Sequence, residues 1–139
     1  MSDNKATMLR LYEEVFSGGN LEVIDELLAD DFVEHEELPP GIPQGKGAPR
    51  ALVTMMRGAF PDFHAAVEEM LEDGDKVITR ARFSGTHQGE FMGIPPTGKR
   101  FDIPVIDIVE FRDGKGIAHW GIMDQAGMMQ QLGVGGPPA

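Results

Sequence analysis

The sequence contains no cysteine and few basic side chains. Among 139 residues there are 12 lysines and arginines against 23 aspartates and glutamates, so the formal net charge is −11. The absence of cysteine excludes disulfide bonds, thiolate metal sites and a cysteine nucleophile. The negative charge repels phosphate backbones and anionic lipid surfaces. We therefore expect neither nucleic acid nor a membrane as a partner.

Long hydrophobic runs are also missing. No apolar stretch approaches the roughly 20 residues that a membrane-spanning helix needs, and the N-terminus lacks the apolar region of a signal peptide. Hydrophobic residues still make up 41% of the chain, a globular proportion. We expect a soluble, cytoplasmic protein with a single domain over residues 1–132 and a flexible Gly/Pro-rich tail over residues 133–139.

Common signatures of nucleophile, metal and nucleotide chemistry are absent as well. The sequence has no Gly-x-Ser-x-Gly and no His-Glu-x-x-His, and no two histidines have the spacing of helical metal ligands. Gly85, Gly89 and Gly93 do not follow a strand-to-helix turn, as a dinucleotide site requires. The sequence therefore predicts neither a metal ion nor an organic cofactor.

Helical periodicity dominates the first third of the chain. Apolar residues recur at helical spacing before Gly18-Gly19 and again after Asn20, which can cap a short second helix. After a short extended piece at residues 32–35 and a loop, Pro49 suits the first turn of a third helix, which Pro61 ends.

The second half alternates as strands do. Each of two hairpin turns joins a pair of predicted strands, which gives four strands in all. Asp124 can cap a last helix that runs through Leu132. The predicted strands cover residues 64–72, 76–84, 101–111 and 115–123. Helices followed by a strand meander predict an α+β fold, with helices packed on one face of a curved antiparallel sheet.

The turn of the second hairpin determines which residues face each other. A two-residue turn at Asp113-Gly114 would place the like charges of Arg112 and Lys115 opposite one another. We favour a three-residue turn with Gly114 left-handed, because its register also joins an acid to a base. That register pairs Asp107 directly with His119 on an otherwise apolar sheet face.

Asp107 and His119 form the best catalytic candidate in the sequence. The carboxylate can hold the imidazole in one tautomer and raise its basicity, so that the histidine takes a proton from a carbon acid or from water. A polar pair that only sets strand register is the alternative. Burying a carboxylate without a partner would cost about several kcal/mol of stability, or the group would take up a proton and become neutral.

Other side chains are predicted to complete a pocket. His35, after a short apolar stretch, is a third catalytic candidate that assists from the helical side, although a surface position is equally consistent. His87 lies in a flexible loop and is predicted to cover the pocket mouth, although a histidine in such a loop is more often simply solvated. The predicted lining comprises Met55, Met56, Phe60, His87, Phe91, Met92, Val105, Gly121 and Met123.

The opposite face of the last two strands has no cover from the chain itself. Strand alternation places Ile106, Ile108, Trp120 and Ile122 there. A patch of this size exceeds what a small monomer usually exposes. We expect a homodimer that pairs two copies through these residues.

Several segments resemble the SnoaL-like polyketide cyclase family of ester cyclases. The resemblance begins at Phe60-Pro61-Asp62-Phe63-His64 and is most specific in the Gly-Thr-His to Pro-Pro-Thr-Gly segment at residues 85–98. It continues through Asp113-Gly114-Lys115, His119-Trp120 and residues 124–133. The likeness covers almost the whole chain in order.

The resemblance implies the cone-shaped α+β barrel of the nuclear-transport-factor-2-like superfamily and a deep apolar pocket. It also implies chemistry without a cofactor, which in the founding cyclases is intramolecular aldol closure of a polyketide ester. Those enzymes use an aspartate at the position of Gly121 as the acid/base, and they have a histidine where Asp107 stands.

Three functions follow as hypotheses. The favoured one is a small enzyme that transfers protons on an apolar, carbonyl-bearing substrate through Asp107 and His119. An epoxide or ester hydrolase would use the same pocket to add water. A non-catalytic small-molecule binder is the third possibility, because this superfamily hosts many functions.

Overall fold

The computed structural model describes residues 2–134, which form four α-helices around one five-stranded sheet. The helices are α1 (Asp3–Arg10), α2 (Ile24–Leu27), α3 (Gly47–Ala59) and α4 (Gln125–Leu132). The strands are β1 (Leu28–Glu34), β2 (His64–Asp73), β3 (Lys76–Thr86), β4 (Arg100–Arg112) and β5 (Lys115–Met123). No helix within residues 2–134 is long and apolar enough to cross a membrane.

The predicted helices are confirmed, together with the residues that cap them. Helix α1 continues as a π-helical segment over Leu11–Ser17, which ends at Gly18. The side chain of Asn20 accepts a hydrogen bond from the backbone N–H of Glu22, and a 3-10 turn over Leu21–Val23 then leads into α2. Asp124 caps α4 in the same way, by accepting a hydrogen bond from Gly127.

The α+β class is confirmed, whereas two details of the predicted sheet are wrong. The strand order is β1-β5-β4-β3-β2, so β1 and β2 are the edges of the sheet and it does not close into a barrel. The sheet is mixed, because β1 pairs in parallel with β5. The predicted extended piece at residues 32–35 is the end of this seven-residue strand.

One face of the sheet, called the inner face here, packs against the helices. On β4 the inner face carries Val105, Asp107 and Val109, each at most 7% exposed. Buried residues of the helices complete the core, among them Met8, Tyr12, Val53, Met56, Met128 and Leu132. The inner face and the helices therefore enclose the space in which a site can form.

The turn of the β4–β5 hairpin differs from the prediction. Asp113 and Gly114 both have positive φ, 53° and 80°, and Arg112 pairs with Lys115 across a two-residue turn. The like charges are separated by their own partners: Arg112 contacts the Asp31 carboxylate at 2.8 Å, and Lys115 donates to the Asp25 carbonyl. Charge repulsion therefore does not exclude the two-residue turn, because the Asp31 carboxylate compensates Arg112 and a backbone carbonyl accepts from Lys115.

A bulge then returns the two strands to the predicted faces. Gly116 pairs with Phe111 and Ala118 pairs with Glu110, so Ile117 is the extra residue. Val109 consequently lies directly opposite His119, and Asp107 lies opposite Gly121. Asp107 and His119 are diagonal neighbours on the inner face instead of a direct pair.

Part of the predicted tail lies outside the described residues, since the description ends at Val134. The two tail residues that are described follow α4 directly. Gly133 ends that helix in the left-handed conformation with φ 74°, which glycine adopts without strain.

The face opposite to the inner face, called the outer face here, carries exposed apolar side chains. Ile106 is 43% exposed and Ile122 is 78% exposed. Trp120 is partly covered, because the ring of His35 stacks on it at 4.6 Å. Ile122 is thus the most open apolar side chain of the predicted dimer surface.

We expect this protein to dimerise through the outer face, because burying an exposed isoleucine is worth about 1.5–3 kcal/mol. Ile122→Glu should place a charge in the interface and give a 15.2 kDa monomer by light scattering at micromolar concentration. Ile122→Leu keeps an apolar side chain and should remain dimeric. A wild-type monomer under the same conditions would contradict the assignment.

Candidate active site

A cavity of about 340 Å³ lies between the inner face of the sheet and the helices. Its volume is in the range of small-molecule sites. Most of its wall is apolar and rich in methionine, a side chain that adapts to ligand shape. The apolar lining includes Met8, Leu11, Phe16, Leu28, Phe32, Met55, Met56, Phe63, Phe83, Phe91, Met92, Val105, Val109, Met123, Met128 and Met129.

One end of the cavity is polar and is organised around His119. The Nε2 atom of His119 lies 2.8 Å from Oδ1 of Asp107, and its Nδ1 atom lies 2.5 Å from Oε1 of Glu34. Tyr12 donates its hydroxyl hydrogen to Oδ2 of Asp107 at 2.5 Å. A chain of four hydrogen-bonded side chains therefore runs from α1's π-helical extension through β4 and β5 to β1.

The two carboxylates keep His119 protonated. Burial alone would lower the pKa of the imidazolium, but the hydrogen bonds from its ring to Asp107 and Glu34 outweigh burial and raise the pKa to about 10. At neutral pH both ring nitrogens therefore carry a proton and donate it to a carboxylate. Burial, together with the charge of Asp107, also raises the pKa of the Tyr12 hydroxyl, which stays neutral.

Glu36 adds a third carboxyl group at this end of the cavity. Glu36 lies two positions beyond the end of β1, and its backbone N–H donates to Oε1 of Glu34 at 2.9 Å. Burial, which the charge of His119 opposes and the charges of Asp107 and Glu34 assist, raises the pKa of its carboxyl group to about 7. Glu36 is therefore partly ionised at neutral pH.

The loop that carries Glu36 is fastened to β1 by Gln44. The side-chain oxygen of Gln44 accepts from the backbone N–H of Glu34 at 2.7 Å, and its amide nitrogen donates to the Glu34 carbonyl at 3.0 Å. The backbone N–H of His35 donates to the carbonyl of His119 at 2.8 Å and extends the β1–β5 pairing. These bonds hold residues 34–36 against β5.

The structure brings Asp107 and His119 together, but it does not bring His35 to them. Phe32 and Glu34 of β1 point to the inner side, so the next residue, His35, lies on the outer face and stacks on Trp120 with the rings 3° from parallel. The prediction that His35 assists in the pocket is wrong because side chains alternate along a strand. The position predicted for it is held by Glu34.

Six of the nine predicted lining residues line the cavity, and three do not. The six are Met55, Met56, Phe91, Met92, Val105 and Met123. Phe60 is fully buried in the core against Phe101, with ring centroids 4.7 Å apart. Gly121 is screened from the cavity because the Glu36 carboxylate fills the space in front of it.

His87 is also not at a pocket mouth. It is fully buried, its Nδ1 accepts a hydrogen bond from the backbone N–H of Thr97 at 3.2 Å, and its backbone pairs with Lys99 and Gly98. The ring packs against Phe60 at 5.5 Å. His87 therefore anchors the loop between β3 and β4 to the core.

Three residues of the polar end were not predicted: Tyr12, Glu34 and Glu36. Strand alternation could have identified Glu34, because it shares a face with the apolar Phe32. Tyr12 lies on the apolar stripe of the first helix, and a buried tyrosine hydroxyl usually needs a hydrogen-bond partner. No pattern in the sequence identifies Glu36, whose position depends on the path of a loop.

The polar end is better suited to protons than to a metal ion. Glu36, Asp107 and His119 each offer one ligand atom, and these three atoms lie within 4.8 Å of one another. A metal needs a deprotonated ring nitrogen, whereas both nitrogens of His119 donate to carboxylates. Metal binding would have to remove a proton from His119 and break its hydrogen bond to Asp107.

Comparison with known proteins gives one consistent result. The sequence model of the SnoaL-like polyketide cyclase family matches residues 6–132. The nogalonic acid methyl ester cyclase of Streptomyces nogalater is 32% identical over 120 residues, which cover 85% of this chain and 89% of the cyclase. The aklanonic acid methyl ester cyclase DauD of Streptomyces sp. (strain C5) is 32% identical over 134 residues, covering 91% of this chain and 80% of that protein.

A solved structure agrees with these sequence relatives. Wild-type IdmH of Streptomyces antibioticus, a candidate polyketide cyclase, superposes with a TM-score of 0.83 at 37% sequence identity. The match covers 96% of this chain and 100% of that one. The shared fold, the family match over nearly the whole length and the two ester cyclases lead to one conclusion: this chain belongs to the SnoaL-like polyketide cyclase family.

Proposed function

We propose that this protein closes a ring in an apolar, carbonyl-bearing small molecule of polyketide type by acid–base catalysis without a cofactor. The observation that carries the proposal is His119, held between Asp107 and Glu34 at the polar end of an apolar cavity. The curated relatives support a cyclase-type enzyme, since they are named as cyclases of nogalonic and aklanonic acid methyl esters.

His119 is the acid in this reaction. When a carbon nucleophile attacks a carbonyl group, the carbonyl oxygen gains negative charge and needs a proton. An imidazolium with a pKa of about 10 is fully protonated at neutral pH and still more acidic than an alcohol. It also places a positive charge beside the developing negative one.

Asp107 and Glu34 hold the acid in place. Because each carboxylate takes one ring N–H, the imidazole can neither flip nor rotate without losing a charge-assisted hydrogen bond. Tyr12 fixes the second oxygen of Asp107 in turn. The apolar wall of the cavity supplies binding surface for a fused-ring or chain substrate and keeps water away from the reacting carbon.

The raised pKa of His119 can be measured directly. Glu34→Gln removes one of the two negative charges on the ring, so the midpoint of the His119 ring titration, followed by NMR, should fall well below 10. Glu72→Gln, which changes an exposed glutamate of β2, is the matched control and should leave the midpoint unchanged. An unchanged midpoint in Glu34→Gln would contradict the assigned contact.

The same shift makes stability depend on pH. The pKa of His119 rises from 6.5 in the unfolded chain to about 10 in the fold. The stabilisation by the charged ring is therefore complete below about pH 6.5 and is lost as the pH rises through 10. Between pH 7 and pH 10, the free energy of unfolding measured with urea should fall less in His119→Gln than in wild type. His64→Gln, an exposed histidine, should behave like wild type.

Turnover tests the proposed reaction itself. Purified protein incubated with nogalonic and aklanonic acid methyl esters should give a cyclic isomer of unchanged mass, separated by chromatography. His119→Gln should lower the rate by on the order of 10²–10⁴, the usual contribution of a positioned acid or base. Incorporation of oxygen-18 from labelled water would indicate a hydrolase, and ligand-induced thermal stabilisation without product would indicate a binder; either contradicts the proposal.

A further inference from the structure

Gly121 leaves a space on the inner face that another residue fills. It lies directly opposite Asp107 in the β4–β5 pairing. A Cβ atom at residue 121 would overlap Oε1 of Glu36 and would stand 2.6 Å from Oδ1 of Asp107 and 2.8 Å from Cε1 of His119. Any side chain at this position would therefore displace Glu36, so glycine is what admits the Glu36 carboxylate to the site.

Among the carboxylates of the polar end, Glu36 is the one with both oxygens free of a hydrogen bond within residues 2–134. Both ring nitrogens of His119 are engaged, and the two oxygens of Asp107 are engaged by His119 and Tyr12. Glu34 is 4% exposed at its side chain and accepts hydrogen bonds from His119 and from the backbone N–H of Glu36 at the same oxygen, Oε1. Within residues 2–134, neither side-chain oxygen of Glu36 has a hydrogen-bond donor, and Glu36 lines the cavity.

We propose that Glu36 is the catalytic base that removes the proton from the substrate carbon next to a carbonyl group. This inference rests on the proposed ring closure and assigns the partner of the acid His119. The carbon–hydrogen bond breaks, the proton moves to the Glu36 carboxylate, and the electron pair delocalises onto the carbonyl oxygen as an enolate. The enolate carbon then bonds to a second carbonyl carbon, whose oxygen takes the Nε2 proton of His119 as the hydrogen bond from Nε2 to Asp107 breaks.

The proton balance closes inside the site. After ring closure Glu36 holds a proton and His119 lacks one. Their functional atoms lie within 4.8 Å of each other, a separation that one water molecule bridges. The transfer from Glu36 to His119 runs from the group with a pKa of about 7 to the group with a pKa of about 10, so it is downhill.

The surroundings of Glu36 match the demands on a base at neutral pH. The titratable groups that face it are Tyr12 beside α1, Glu34 on β1, Asp107 on β4 and His119 on β5. Burial and two neighbouring carboxylates weaken its acidity, and the imidazolium limits the effect. A carboxylate poised near neutral pH combines adequate basicity with a useful ionised fraction.

The test measures proton removal and ring closure separately. Wild type, Glu36→Gln, Glu36→Asp and the control Glu72→Gln are incubated with the nogalonic and aklanonic methyl esters in D₂O. Deuterium incorporation next to the carbonyl is followed by mass spectrometry, and product by chromatography. For Glu36→Gln we expect both rates to fall at least 100-fold with little change in KM, partial activity in Glu36→Asp, and wild-type rates in Glu72→Gln.

The pH profile distinguishes a base from a structural residue. The wild-type kcat should fall as the pH drops below about 7, because the base must be ionised, and this limb should disappear in Glu36→Gln. Gly121→Asp should impair both rates, because its Cβ atom would displace Glu36 and crowd Oδ1 of Asp107 and Cε1 of His119. Thermal unfolding checks that every variant folds.

The outcomes separate the two proposals. Ring closure at wild-type rates by folded Glu36→Gln overturns the role of Glu36 and leaves the cyclase function standing. Deuterium exchange without ring closure in wild type, lost in Glu36→Gln, supports the base and overturns the cyclase function. Absence of both reactions in wild type overturns both proposals.

Discussion

The site depends on a single ionic arrangement, the imidazolium of His119 between the carboxylates of Asp107 and Glu34. Three strands meet in it, because β1, β4 and β5 each supply one of its members. Removing either carboxylate would leave a buried charge with half of its compensation, and removing the histidine would leave two carboxylates facing each other. The chemistry of the site and the pairing of edge strand β1 are therefore linked through the same contacts.

The sequence predicted the α+β class and the four α-helical regions. It also predicted the contact of Asp107 with His119, although the turn on which that prediction was based is wrong. Repulsion between Arg112 and Lys115 argued against a two-residue turn, whereas Asp31 on β1 neutralises Arg112. A bulge at Ile117 then restores the face that the wrong turn had implied. Long-range partners and single-residue bulges leave little trace in a local pattern, so the register could not be derived from it.

The residues of the polar end were predictable to different degrees. The inner-face position of Glu34 follows from the alternation of β1, which equally sends His35 to the outer face. Glu36 follows β1 in a loop whose path is set by Gln44, eight positions further along, and by the absence of a side chain at residue 121. Such a meeting of three distant backbone segments is a property of the tertiary structure, and periodicity does not encode it.

The chain has one tyrosine and one tryptophan, and both belong to the neighbourhood of the site. Tyr12 donates to Asp107. Trp120 follows His119 in the sequence, and its indole stacks on His35 on the outer face. Near-ultraviolet absorbance, circular dichroism and intrinsic emission of this protein therefore arise almost entirely from groups within one or two residues of Asp107 and His119. Ligand entry and protonation are open to optical observation in the unlabelled chain, without an engineered reporter.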